Sequence, residues 1–275
     1  RHDPPALRFD MVQAPQPPPA ARGRQDTHSS AVRARPIVLV HGASHDRHTW
    51  HLQQAHLDGA GRQVLALDLP GHGDDRNPPL TSIEAMAAWL LAVLEERVAQ
   101  PVHLIGHSMG SLIALEAAAR GGTQVASLVL VGSTLPMRVA PALLEAARSN
   151  PDEARAMINH WSFSATDGGP DGDAARAANL AMMARQPDGV LAIDLAACDG
   201  YDGGPAAAAA VRCPVWLVCG ENDRMTPPAG IELLREALRS GGSAPHTEII
   251  ADCGHAIMAE QPGRLNEALS RSCRD

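Results

Sequence analysis

Six short, apolar-rich runs punctuate the chain, at 36–41, 63–68, 102–106, 125–131, 214–219 and 246–251. Runs of this length without strict polar alternation predict strands buried on both faces. Stretches with apolar residues at helical spacing lie between them. Thr81-Ser82-Ile83-Glu84 has the form of a capping box and opens a helix carrying Ala85, Ala88, Leu91 and Val98. Ser111 to Arg120 and Ile231 to Leu238 predict two more helices. Strands that alternate with helices predict an α/β fold, a mostly parallel sheet flanked by helices.

The rhythm breaks between Leu135 and Pro205. That interval has no strand-like run, several short Ala-rich helical patterns, and Gly/Pro/Asp breaks at 167–170 and 202–205. We read 135–205 as a helical cap inserted between two segments of one core, 36–134 and 206–275. Residues 1–35 form a lead. In it, Leu7, Phe9 and Met11 alternate as a single edge strand, and Pro15 to Pro19 open an irregular, Arg-rich stretch.

Composition narrows the chemistry. The 275 residues are 45% hydrophobic, enough for a sizeable core, and 31 acidic against 23 basic residues give a net charge of −8. An acidic chain argues against a nucleic-acid partner. All 23 basic residues are Arg. Without a lysine there is no Schiff base, no P-loop lysine and no Ser–Lys dyad, so catalysis must run on His, Ser, Cys or carboxylates, or on a metal. The five cysteines are odd in number and lack C-x-x-C spacing, which argues against a zinc ribbon or a disulfide framework. His41, His45, His48, His51 and His56 are dense, but their spacing matches no standard zinc geometry. No cofactor or metal is expected. No stretch approaches the ~20 apolar residues of a membrane span, and residues 1–20 lack the apolar segment of a signal peptide, which predicts a cytoplasmic protein.

Gly106-His107-Ser108-Met109-Gly110 carries the strongest chemical signal. It follows a strand run and precedes a helix, the setting of a nucleophile elbow. There the flanking positions must be Gly, and the serine is lifted to a helix N-terminus that favours developing negative charge. A serine hydroxyl needs a base, and the base needs an orienting acid. Both are available at strand ends: Asp223 or Glu221 follows the run at 214–219, and His255 follows the run ending near Ala251. In open α/β sheets such groups converge outside the carboxyl ends of the strands. His107 and His72 are read as structural.

From Pro36 onward the chain resembles the α/β-hydrolase family. Four features carry the resemblance: His41-Gly42-Ala43 after the first run, Asp68-Leu-Pro-Gly-His-Gly73, the elbow, and Gly254-His255. The order Ser108, Asp223, His255 agrees with that family. The resemblance implies an oxyanion hole made by the backbone N–H groups of Ala43 and Met109 and a packing role for Trp50 after the His-Gly loop, and it places 135–205 where the family carries its cap. The expected function is a cofactor-independent serine hydrolase acting on a small, mainly apolar carboxylic ester. The same apparatus serves C–C bond hydrolases, lactonases and amidases, and a slow-turnover ligand receptor would also retain it. Among Met137, Met157, Trp161, Phe163, Met182 and Met183, the residues expected to bind substrate are Trp161 and Met137, with His45 at the pocket mouth.

Overall fold

The structure, a computed structural model, describes residues 34–164 and 169–275. The edge strand expected at Leu7 to Val12, like all but the end of the lead, lies outside the described residues. Each of the six runs forms a strand: β1 Ile37–Val40, β2 Val64–Leu67, β3 Val102–His107, β4 Val125–Val131, β5 Val215–Gly220 and β6 His246–Ile250. They pair in parallel in the order β2-β1-β3-β4-β5-β6.

Alternate residues of the central strands feed two cores. Val38, Val40, Leu104 and Leu130 point to one face, where α2 (Ile83–Arg97), α3 (Met109–Gly121), α8 (Gly204–Ala210) and α9 (Ile231–Ser240) cover them. Ile37, Leu39, Ile105 and Val131 point to the other, under α1 (His51–Gly59) and α11 (Pro262–Ser272), with the short α10 (Ile257–Glu260). Cover on both faces accounts for the absence of polar alternation. The edge strands are less protected, and Ile249 on β6 is 54% exposed.

Two local expectations shift. Ser82, not Thr81, caps α2, its Oγ accepting from the Ala85 N–H at 3.2 Å. Pro205 sits in the first turn of α8, where a missing N–H costs nothing, so this helix begins at Gly204, inside the stretch read as a break. Between β4 and α8 run α4 (Pro141–Ser149), α5 (Pro151–Ser162), α6 (Gly169–Ala184) and α7 (Val190–Gly200). They bury a third apolar cluster that includes Leu143, Ile158, Met183 and Leu195. Among the described residues no helix is long and apolar enough to cross a membrane.

Candidate active site

The turn from β3 to α3 leaves no room for side chains on either flank of Ser108. A Cβ on Gly106 would stand 2.1 Å from the Gly110 carbonyl oxygen, and one on Gly110 would stand 2.4 Å from that of His41. Ser108 itself adopts φ 54°, ψ −123°, a region non-glycine residues occupy at a cost of about 1–3 kcal/mol. The surroundings impose it. The Ser108 N–H donates to the Val131 carbonyl at 3.0 Å, and the Ser108 carbonyl accepts from the Ser111 N–H at 2.8 Å and the Ser111 hydroxyl at 2.6 Å. The helix starts at Met109, two residues before its expected start.

Asp223 and His255 come together from the loops after β5 and β6. His255 Nδ1 donates to Asp223 Oδ2 at 2.8 Å. The other oxygen, Oδ1, accepts from the N–H groups of Met225 (2.8 Å) and Thr226 (2.7 Å). Thr226 Oγ1 donates to Oδ2 at 2.7 Å and lies 3.2 Å from His255 Nδ1. Burial by itself would push the Asp223 carboxyl up. The His255 ring and this set of donors outweigh it and hold the group below the usual carboxylate range. Glu221, the other acid considered, is exposed and accepts from the Asp252 N–H at 3.2 Å.

His107 donates from Nε2 to the His255 carbonyl at 2.9 Å, with the two rings 4.7 Å apart. Burial, and then the neighbouring His255, lower its pKa well below the imidazole range, so it is a neutral support. Trp50 packs edge-on against His107 and is fully buried, as expected of a packing residue. His72 is fully buried against Asp194. His48 is bonded to Asp46 and exposed, away from the cavity.

Ser108 and His255 open into one cavity of about 210 Å³, whose walls include Ala43, His45, Met137 and Trp161. Asp223 lies behind His255, and the Met109 side chain is buried in the core, leaving only its backbone at the turn. No hydrogen bond links Ser108 Oγ to His255 Nε2 among the described residues. The sequence reading missed Leu143, Ile158 and Leu195, one wall residue from each of α4, α5 and α7. The spacing Ile158–Trp161 and Leu195–Cys198, three residues apart on their helices, is the available signal. Met157 and Met183 pack among α4 to α7, and Phe163 is buried outside the cavity wall. Cys198 reaches the cavity, but burial, with Asp194 and Asp199 near it, pushes its thiol far up, so it supplies no thiolate.

The family model for the alpha/beta hydrolases matches residues 37–268. The chain belongs to the alpha/beta hydrolase family. This alpha/beta hydrolase is an enzyme, and esterases are among its relatives. It is 28% identical to the pimeloyl-[acyl-carrier protein] methyl ester esterase of Neisseria meningitidis serogroup A over 92% of its own length and 87% of the relative's. It is 38% identical over 99 residues to the dihydrolipoyllysine-residue acetyltransferase component of the acetoin cleaving system of Pseudomonas putida. That match spans 36% of this chain and about a quarter of the relative (26%). In fold it is similar to an esterase from Exiguobacterium antarcticum, with a TM-score of 0.77, 18% identity, and coverage of 88% of this chain and 92% of that one.

Proposed function

We propose that this alpha/beta hydrolase is a serine esterase that cleaves small, mainly apolar carboxylic esters through an acyl-enzyme. The observation that carries the proposal is the shared cavity of Ser108 and His255, with His255 tied through Nδ1 to a buried Asp223. Because Asp223 Oδ1 is filled by two N–H donors, Oδ2 is left to accept from the ring, which fixes the Nδ1–H tautomer and leaves the Nε2 lone pair for the base.

In the proposed reaction Ser108 Oγ attacks the acyl carbon and His255 Nε2 takes the proton. The N–H groups of Ala43 and Met109 hold the oxyanion, and the same proton passes to the leaving alcohol. His255 then activates water, which releases the acid and regenerates Ser108. No step needs a cofactor.

The cavity supports the substrate class. Its volume lies below the ~300–1,000 Å³ of pockets for drug-sized ligands, and Met137, Leu143, Ile158 and Trp161 line it. Its two guanidinium groups are already engaged, Arg138 with Asp202 (2.5 Å) and the Asp199 carbonyl, and Arg224 with the Phe163 carbonyl (3.1 Å) and that of His160. All five cysteines are free, in keeping with a cytoplasmic setting.

The test is hydrolysis of p-nitrophenyl esters of increasing acyl length, beside a lactone and an anilide, by wild type and Ser108→Ala. Turnover concentrated on short acyl chains and abolished by Ser108→Ala, together with fluorophosphonate labelling confined to wild type, is expected. Labelling that survives the substitution would remove Ser108 from the mechanism.

A further inference from the structure

Among the described residues of α4–α7, one carboxylate is fully buried. Asp194, on α7, is 0% exposed, and its Oδ2 accepts from the Ser44 N–H at 2.7 Å and from His72 Nε2 at 2.9 Å. His72 follows β2, and its Nδ1 faces the Pro70 carbonyl at 3.1 Å. Both ring nitrogens thus face acceptors, which requires both to carry protons. His72 and Asp194 form a buried ion pair.

Ser44 directly follows Ala43, the proposed oxyanion donor. It holds φ 53°, an uncommon conformation for a serine. The two peptide planes around Ala43 are tied down on every side but one. The Gly42 carbonyl accepts from His41 Nδ1 (2.9 Å) and the His45 N–H (3.3 Å), and the Ala43 carbonyl accepts from His45 Nδ1 (2.7 Å). The Ser44 N–H is held by Asp194. Three of these ties come from residues of the same loop and are local. Asp194 is the one tie that arrives from elsewhere in the chain, 150 residues away.

We infer that Asp194 is a positioning residue for the oxyanion hole: by accepting the Ser44 N–H it fixes the strained Ala43–Ser44 turn and so aims the Ala43 N–H. His72 neutralises the carboxylate and orients it. The inference rests on the serine-hydrolase reading, with Ala43 as an oxyanion donor. It also makes the oxyanion site dependent on the docking of α7, so the inserted helices serve the chemical step as well as walling the cavity.

An oxyanion donor acts on the transition state and leaves the bound ester almost untouched, so misaiming it lowers kcat and spares KM. The experiment compares wild type, Asp194→Ala and Asp194→Asn on p-nitrophenyl butyrate, together with the affinity of an alkyl boronic acid that forms a tetrahedral adduct on Ser108. For Asp194→Ala we expect kcat to fall about 10²-fold or more, with boronate affinity falling in parallel and KM within about threefold. Asp194→Asn retains an acceptor for the Ser44 N–H and is expected to recover most of the loss. If Asp194→Ala does not fold, Asp194→Leu, which fills the volume without an acceptor, is held to the same outcome. A folded Ala or Leu variant with unchanged kcat, or with the loss confined to KM, overturns the inference, as does an Asn variant no better than Ala. Wild type that neither hydrolyses the ester nor labels at Ser108 overturns the hydrolase reading itself.

Discussion

Asp223→Asn is the substitution whose outcome the geometry constrains most tightly. Asp223 Oδ1 faces two N–H donors, at 2.8 and 2.7 Å, so the amide oxygen must occupy that side. The NH2 group then faces His255 Nδ1, which can only accept. The ring proton is forced onto Nε2, the atom proposed to act as base. Turning the amide over would restore the tautomer but would leave the amide NH2 and both backbone N–H groups, three buried donors, without acceptors. At about 1–3 kcal/mol each, that is roughly 3–9 kcal/mol against the productive arrangement. With 1.36 kcal/mol per factor of ten, the loss should reach at least ~10²-fold, and the loss of the carboxylate's hold on the imidazolium carries it toward the ~10⁴-fold seen for this change in a serine protease triad. Steady-state hydrolysis of p-nitrophenyl butyrate should therefore show kcat down by about 10³–10⁴ with KM little changed. Glu221→Gln, at an exposed position, should stay within roughly twofold of wild type. An Asp223→Asn enzyme that keeps more than about a tenth of wild-type kcat would refute the reasoning, as would an equal loss at Glu221.

Gly110→Ala puts a methyl group 2.4 and 2.5 Å from the His41 and Val40 carbonyl oxygens, so α3 must lift from β1. Despite alanine's higher helix propensity we expect a loss of about 1–3 kcal/mol in urea melts, and a variant as stable as wild type would contradict that close approach. Stability should also depend on pH in two opposed ways. His41 is lowered well below the ordinary 6.5 by burial and then by the charge of His72, and His107 by burial and then by His255. Unfolding takes up protons at both positions as the pH falls below about 6.5, so wild type should weaken from pH 7 to pH 5. Burial acts against the His72 charge, but its bond to Asp194 prevails and raises its pKa. Its contribution is complete below about pH 6.5 and is lost as the pH climbs through the raised folded value. His72→Gln should therefore cost more stability at pH 5.5 than at pH 8.5, and equal costs would dismiss the charged ring.

Much of the core was legible because the physics that forms it leaves local traces. Strands covered on both faces must be apolar throughout, and 36–41 and 125–131 announce themselves that way. The elbow was legible because a strand-to-helix turn about a serine leaves a contiguous five-residue pattern, although only the Gly106 contact is local and Gly110 answers to the distant end of β1. The rest of the cavity wall, beyond His45, Met137 and Trp161, was not, because Leu143, Ile158 and Leu195 sit on three different helices and meet only after those helices pack. Nothing near Leu143 in the sequence separates it from Leu144, which remains partly exposed. Asp194 did leave a trace: a carboxylate inside the apolar run Val190-Leu-Ala-Ile-Asp-Leu-Ala-Ala-Cys198 has to find a buried partner. The identity of that partner, His72, depends on how α7 settles over the β2 loop, and no local pattern encodes it.

The C-terminal end of α5 is knit into the loops that carry Asp223 and His255. The Ala256 N–H donates to the Ser162 carbonyl at 2.7 Å, Arg224 grips the Phe163 carbonyl, and Asn222 reaches Ser164 Oγ at 3.2 Å. Glu260 accepts from the N–H groups of both Gly254 (2.6 Å) and Ser164 (2.8 Å), and a Cβ on Gly254 would press into this seam, 2.7 Å from the Ser164 nitrogen. The helices α4 to α7 are therefore not a module separable from those loops. Recombination that exchanged these helices wholesale with a relative would tear the frame of the His255 loop along with the pocket wall. Single changes at Leu143, Ile158 or Leu195 leave that seam whole. Substrate range in such a protein can drift by point mutation, side chain by side chain, far more readily than by shuffling whole segments.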